Sequence, residues 1–236
     1  MDKFYKVFKV QPVVLPVVHV VNKEQTIKNI TTAQEGQSDG VFLINHEISG
    51  ARLFEIYESI INMFPNFWIG INCLGLKPVE VFNEVFRRGL FNLSGLWVDN
   101  AMINEYSTEQ PDAESINKLR QESAWNGLYF GGVAFKYQRP VHEPEKAAKN
   151  AIKYMDVITT SGAGTGQPAE TEKICKMRLA IGNKPLAIAS GITTENIQNY
   201  CGIADCFLVA TGISSNFVTL DLQKVKTLVD TVKHRI

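Results

Sequence analysis

Apolar residues along this chain gather in short runs, at 13–21, 40–45, 67–72, 95–99, 128–135, 156–160, 185–189 and 205–210. The runs are rich in Val, Ile, Phe and Trp, which suit a pleated, buried backbone. Most are apolar at every position rather than at alternate ones, as parallel strands covered on both faces require. Between them the period lengthens to that of a helix, in segments such as 51–63, 78–88, 112–125, 143–154, 169–181 and 222–233. In the last of these, Leu222, Val225, Leu228, Val229 and Val232 share one helix face. Pro78 suits a first helical turn, and Thr193 or Thr194 can cap a short helix starting at Glu195.

Eight strands and eight helices in strict alternation, joined by right-handed crossovers, predict a closed (β/α)8 TIM barrel; a six-stranded doubly wound sheet is the competitor. The barrel is expected as a single domain over residues 1–236, because no linker or low-complexity stretch divides the chain. Apolar residues at 45% and charged residues at 20% exclude a disordered chain. Lys plus Arg and Asp plus Glu each number 24, so no global charge draws the protein to nucleic acid or to an anionic membrane. The longest apolar run, 13–21, is broken by Pro16 and His19 and is too short for an integral membrane segment. Residues 1–10 carry no signal-peptide pattern, and Cys73, Cys175, Cys201 and Cys206 are scattered without a C-x-x-C pair. A cytoplasmic protein with free thiols is expected, with no cofactor and no metal site. His142 and His234 read as peripheral.

In such a barrel the chemistry sits at the C-terminal ends of the strands. The polar residues closing each run are therefore the candidates: His19, Asn45 with His46 and Glu47, Asn72, Asp99 with Asn100, Lys136, Ser161, Ser190 and Thr211. Lys136 is the lone lysine closing a strand. Facing the mouth, it binds an anion, stabilises an enolate or forms a Schiff base; facing outward, it solvates a rim. Asp99 reads as a general base or a ligand-binding group, and His19 as an acid–base group or a buried hydrogen-bonded residue. The stretch TTSGAGTGQP at 159–168 places Gly162, Gly164 and Gly166 beside Ser161 and Thr165. It matches neither a dinucleotide fingerprint nor a Walker loop, which leaves a ligand-binding loop or a merely mobile one. Ser190 and Gly191, then Thr211 and Gly212, open the loops after strands seven and eight, where a phosphate or a plain helix cap is expected.

DVITTSGAGTGQPAETEKI, followed by KPLAIASGITTENI and IADCFLVATGIS, resembles the BtpA family, named for a photosystem I biogenesis factor. The resemblance is specific across about residues 156–211 and colinear upstream. His19 matches a strand-one V-H, Asn45 and Asn72 match the Asn closing strands two and three, Asn100 an Asn after strand four, and Lys136 the Lys of a strand-five V-K-H. The family's Pro-Leu-Pro-Gly loop after the His is absent, Tyr137 replaces the second His of strand five, and no Lys follows strand eight. The resemblance implies a barrel of the ribulose-phosphate-binding type. The expected function is an enzyme acting on a small phosphorylated metabolite, a sugar phosphate or phosphoribosyl compound, by isomerisation, aldol-type cleavage or glycosyl transfer. Lys136, Asp99 and His19 would be catalytic, and the Asn, Ser, Thr and Gly positions above would bind the ligand and its phosphate. The alternative it implies is an accessory or assembly factor built on a degenerate barrel. A homo-oligomer suits either reading, since barrels offer helical outer faces.

Overall fold

Every one of the eight apolar runs forms a strand, buried at each position: β1 (Val13–Val20), β2 (Val41–Asn45), β3 (Ile69–Asn72), β4 (Gly95–Val98), β5 (Leu128–Gly132), β6 (Val157–Ser161), β7 (Leu186–Ala189) and β8 (Cys206–Val209). All pairs are parallel, and β1 pairs with both β2 and β8, so the sheet closes into a barrel in chain order. The computed structural model describes residues 2–233; His234 lies outside the described residues.

Helices α2 (Lys23–Glu35), α3 (Gly50–Ile60), α4 (Pro78–Arg87), α5 (Pro111–Glu122), α6 (Pro144–Ala151), α7 (Thr171–Ile181) and α8 (Leu222–Lys233) surround the barrel. Pro stands at the first turn of α4, α5 and α6, where its missing N–H costs nothing. Asn22 caps α2 and Ser49 caps α3, each accepting a backbone N–H of the first turn. Strand alternation divides the apolar residues into two cores. Val14, Val18, Leu43, Ile71 and Leu96 point outward and pack beneath the helices, while Val13, Leu15, Phe42, Trp97 and Phe130 fill the interior.

Two elements depart from the sequence-based expectation. The helix expected from Glu195 is reduced to a single 3-10 turn, Ile197–Asn199. Asn196 explains the difference: its side chain accepts from Thr193 N at 2.9 Å and donates to Gly191 O at 2.7 Å, holding the segment in a turn. At the other end, the charged and aromatic N-terminus forms α1 (Lys3–Val7), whose Phe4 joins the interior core with Phe8. The Phe4 ring meets Phe130 at 6.4 Å and Phe8 meets Trp68 at 5.4 Å, so the N-terminal end of the barrel is plugged with aromatic side chains. After β8 the chain makes a 3-10 turn (Thr211–Ile213) and a small hairpin, β9 (Ser214–Asn216) and β10 (Thr219–Leu220), before α8.

Candidate active site

Period-two alternation selects which strand-end side chains reach the barrel axis. Val17 and Ile44 belong to the interior core, so His19 and His46, two residues on, face the mouth; by the same parity Trp97 is followed by Asp99. Asn45 and Asn100 have the opposite parity. Asn45 is buried and ties loops together, donating to Ile48 O and Leu74 O and accepting from Leu74 N at 2.7 Å. Asn100 is exposed and accepts from Met102 N at 2.9 Å. Asn72 is brought to the centre, where its Nδ2 donates to Asp99 Oδ1 at 2.8 Å.

His19 is roofed by the hairpin after β8. The Phe217 ring lies 4.1 Å from the imidazole, and the Phe217 carbonyl is 2.6 Å from His19 Nδ1. A carbonyl only accepts, so Nδ1 carries the proton and Nε2 keeps the lone pair. The hairpin is held by α2: Asn29 donates to Val218 O at 2.8 Å and accepts from Leu220 N at 3.0 Å. His46 sits 4.8 Å from His19, ring to ring.

The electrostatics follow from burial and from the Lys136 ammonium. Burial pushes His19 down to about 4; the Phe217 carbonyl resists this, while His46 and Lys136 add to it. His46 is lowered by burial and then by Lys136. Burial raises Asp99, and the Asn72 hydrogen bond, Lys136 and His46 pull it back. Both imidazoles are therefore neutral near neutral pH, and Asp99 is a stronger base than an exposed carboxylate. Lys136 faces the mouth: it acts electrostatically on all three groups and its Nζ donates to Thr165 Oγ1 at 3.3 Å.

The glycine-bearing loops after β6, β7 and β8 are stacked on one another. A Cβ on Gly162 would lie 2.1 Å from Gln167 O, one on Gly191 2.2 Å from the Gln167 carbonyl carbon, and one on Gly212 2.1 Å from Ile192 O. Gly191 and Gly212 are demanded by backbone packing between loops, and Gly162 by the fold of the β6 loop back on itself. Gly166 differs: it has φ +75 and open space around its Cβ position. Gly164 abuts the Gln167 side chain. Thr165 is latched to the β5 loop, its N donating to Tyr137 Oη at 3.2 Å. Ser161 is buried; its Oγ accepts from Lys136 N and donates to Gly162 O, both at 2.8 Å. Ser190 adopts φ 69, and both Ser190 and Thr211 line the mouth cavity with Gly166, Gly191, His19, His46 and Lys136.

Two contributors carried no strong sequence signal. Phe217 reaches the site because the hairpin folds back. Lys173, from the first turn of α7, donates to Ala134 O at 2.6 Å and Ser161 O at 2.7 Å, clamping the ends of β5 and β6; burial lowers it to about 8. Among the described residues, no group of three His, Cys, Asp or Glu side chains is arranged to hold a metal ion, and no helix is long and apolar enough to cross a membrane.

No family model and no curated protein matches the sequence. Solved structures do match in fold. Orotidine 5'-monophosphate decarboxylase from Methanocaldococcus jannaschii superposes with a TM-score of 0.68 at 13% identity, over 94% of this chain and 99% of that one. Phosphoribosyl anthranilate isomerase from Thermus thermophilus gives 0.59 at 14% identity, over 93% and 97%. KDPG aldolase from Legionella pneumophila, with pyruvate captured as a covalent carbinolamine, gives 0.60 at 12% identity, over 95% and 94%. At such identities the likeness is one of fold, the closed (β/α)8 barrel.

Proposed function

We propose that this chain is an enzyme that moves a proton on a small phosphorylated metabolite bound at the C-terminal mouth of the barrel. The observation that carries this reading is the convergence of Asp99, fixed by Asn72, with neutral His19 and His46 around a single lysine, Lys136. In this reading Asp99 or His19 Nε2 takes the proton, and Lys136 neutralises the charge that develops on the substrate or on its phosphate. Isomerisation and aldol-type cleavage next to a carbonyl use this set most directly; glycosyl transfer needs the same cation and base. The phosphate is assigned to the space bounded by Lys136, Gly166, Ser190 and Thr211. That the similar barrels include an isomerase, a decarboxylase and an aldolase agrees with the reaction class.

A second reading, an accessory factor of the BtpA type, is favoured by one observation. Val21, Leu76, Met102, Tyr106, Tyr137 and Phe217 are exposed, and all lie on loops at the mouth end, an apolar rim suited to a protein partner.

A thermal-shift screen against sugar phosphates, nucleotides and inorganic phosphate separates the two. Selective stabilisation of about 2.7 kcal/mol at a hundredfold excess over Kd is expected. Lys136→Ala should abolish that shift and turnover while leaving the ligand-free melting temperature nearly unchanged. A flat screen on folded protein overturns the enzyme reading in favour of the accessory factor.

A further inference from the structure

The mouth has a larger neighbour. Between the loops that follow β5 and β6 lies a cavity of about 740 Å³, which opens to solvent past the exposed Tyr137, Arg139 and Gln167. Sites for metabolite-sized ligands are commonly ~300–1,000 Å³. Lys136 lines this outer cavity as well as the mouth, and Lys173 lines the outer cavity alone. Among the described residues neither ammonium is paired with a carboxylate: Lys136 Nζ donates to Thr165 Oγ1 at 3.3 Å, and Lys173 Nζ donates to Ala134 O at 2.6 Å and Ser161 O at 2.7 Å. An ammonium carries three N–H groups, so Lys173 keeps one for the cavity it lines. Burial lowers Lys173 to about 8, which leaves it charged at neutral pH.

Two half-buried cations facing one cavity call for a countercharge, because a charge withdrawn from water is ordinarily matched by an opposite one. Arg139, in the same wall, follows that rule through its ion pair with Glu105. Lys136 and Lys173 do not. Glu170, exposed at the rim, favours the charge of Lys173 from a distance, without an ion pair. The backbone on each side of Lys136 is also held in a costly shape. Ala134 has φ 48 and Tyr137 φ 62, both left-handed and neither a glycine. Lys173 and Thr160 Oγ1 bind the Ala134 carbonyl, and Thr165 binds Tyr137 Oη, so the loop is fixed with Lys136 between its two strained residues. The facing wall is apolar, made of Pro140, Val141, Pro144 and Pro168.

We propose that the cavity between the β5 and β6 loops is a binding site for an organic anion, its oxyanion head between Lys173 and Lys136 and its apolar body against Pro140, Val141, Pro144 and Pro168. The head is a carboxylate or a phosphate monoester, which offer the two ammonium groups the same charged oxygen acceptors. The inference goes beyond the reading of the mouth and stands without it, since Lys173 and the apolar wall belong to the outer cavity alone.

Amide NMR tells the two cavities apart, because Val141 and Ala163 line only the outer one, and Ser190 and Thr211 only the mouth. With ¹⁵N-labelled protein, hexanoate, benzoate and phenyl phosphate are titrated beside inorganic phosphate and the uncharged benzyl alcohol. The expected result is a saturable shift of Val141 and Ala163 with the organic anions, much weaker with inorganic phosphate and absent with benzyl alcohol. A response to the carboxylates alone, or to phenyl phosphate alone, identifies the head group. Lys173→Met keeps a long unbranched side chain without the charge, and it should bind these anions about tenfold more weakly. An equal response to benzyl alcohol overturns recognition by the lysines, and an equal response to inorganic phosphate overturns the apolar body. Shifts confined to Ser190 and Thr211 overturn the outer site and leave the mouth as the anion site. Silence toward every probe also overturns the outer site, while the mouth is judged separately by its sugar phosphates. The wild-type comparison of anions with benzyl alcohol decides the matter even if the variant does not fold.

Discussion

His19 shows how a single side chain carries both the site and a measurable stability term. An unfolded chain takes up a proton on this imidazole below its ordinary value of 6.5, whereas folded His19 resists until about 4. Between those values the unfolded state binds more protons, so stability falls as pH falls through the window and is fully present above 6.5. The melting temperature of the wild type should drop more between about pH 7 and about pH 5 than that of His19→Gln; equal drops would mean that His19 is not shielded by the Phe217 hairpin. The same scale shows what the sequence could and could not tell. Taking the polar residues that end each run names Asp99, Asn72, Lys136, His19 and His46, which the structure brings together at the mouth. It also took Asn45 and Asn100, which the pleat turns away from the axis to bind backbone instead. Counting parity from Ile44 and Trp97 separates His46 and Asp99 from their neighbours Asn45 and Asn100, which the run ends alone do not. No local pattern marks Phe217 as the roof over His19, because that depends on where the hairpin folds back.

At the level of elements, the loops after β7 and β8 owe Gly191 and Gly212 to the backbone of the loop before each. Gly191 combines φ 64 with a Cβ position 2.2 Å from backbone of the β6 loop, whereas Gly166 has φ 75 and nothing within 4 Å. Gly166→Ala meets the cost of a left-handed residue alone, about 1–2 kcal/mol. Gly191→Ala meets the same cost and must also push the β6 loop away, so urea denaturation should show a loss larger by about 1–3 kcal/mol. Equal losses would show that the loops are not mutually packed and would return Gly191 to the role of a ligand-approach glycine. The strands and long helices were legible because burial and periodicity are local in sequence. The reduction of the helix after β7 was not, since Asn196 trades helix formation for bonds to Thr193 and Gly191. The β9–β10 hairpin is equally hidden: Ser214–Leu220 has little apolar pattern, and its position comes from Asn29 on α2, nearly the whole chain away.

Across the whole molecule, the two ends of the barrel divide the work. The mouth gathers Asp99, Lys136, His19, His46 and exposed apolar loops, while the opposite end is closed by α1, with Phe4 fully buried among Phe8, Tyr5 and Phe130. A barrel whose C-terminal face holds polar groups under strain of burial needs its stability elsewhere, and the aromatic plug supplies part of it. Phe4→Ala removes a buried ring that nothing can refill, at a cost of about 3–5 kcal/mol. For a chain of this length that lowers the melting temperature by about 10 °C. Because Phe4 lies at the end remote from the mouth, the additional stabilisation given by a bound phosphorylated ligand should be the same in Phe4→Ala as in the wild type. The pair of measurements, melting temperature with and without ligand, makes the division of labour testable. A variant that loses its ligand response along with its stability would show that the plug and the mouth are coupled through the interior layers, with Trp97 and Phe130 between them, and that the barrel acts as one cooperative unit rather than a stable base carrying an independent site.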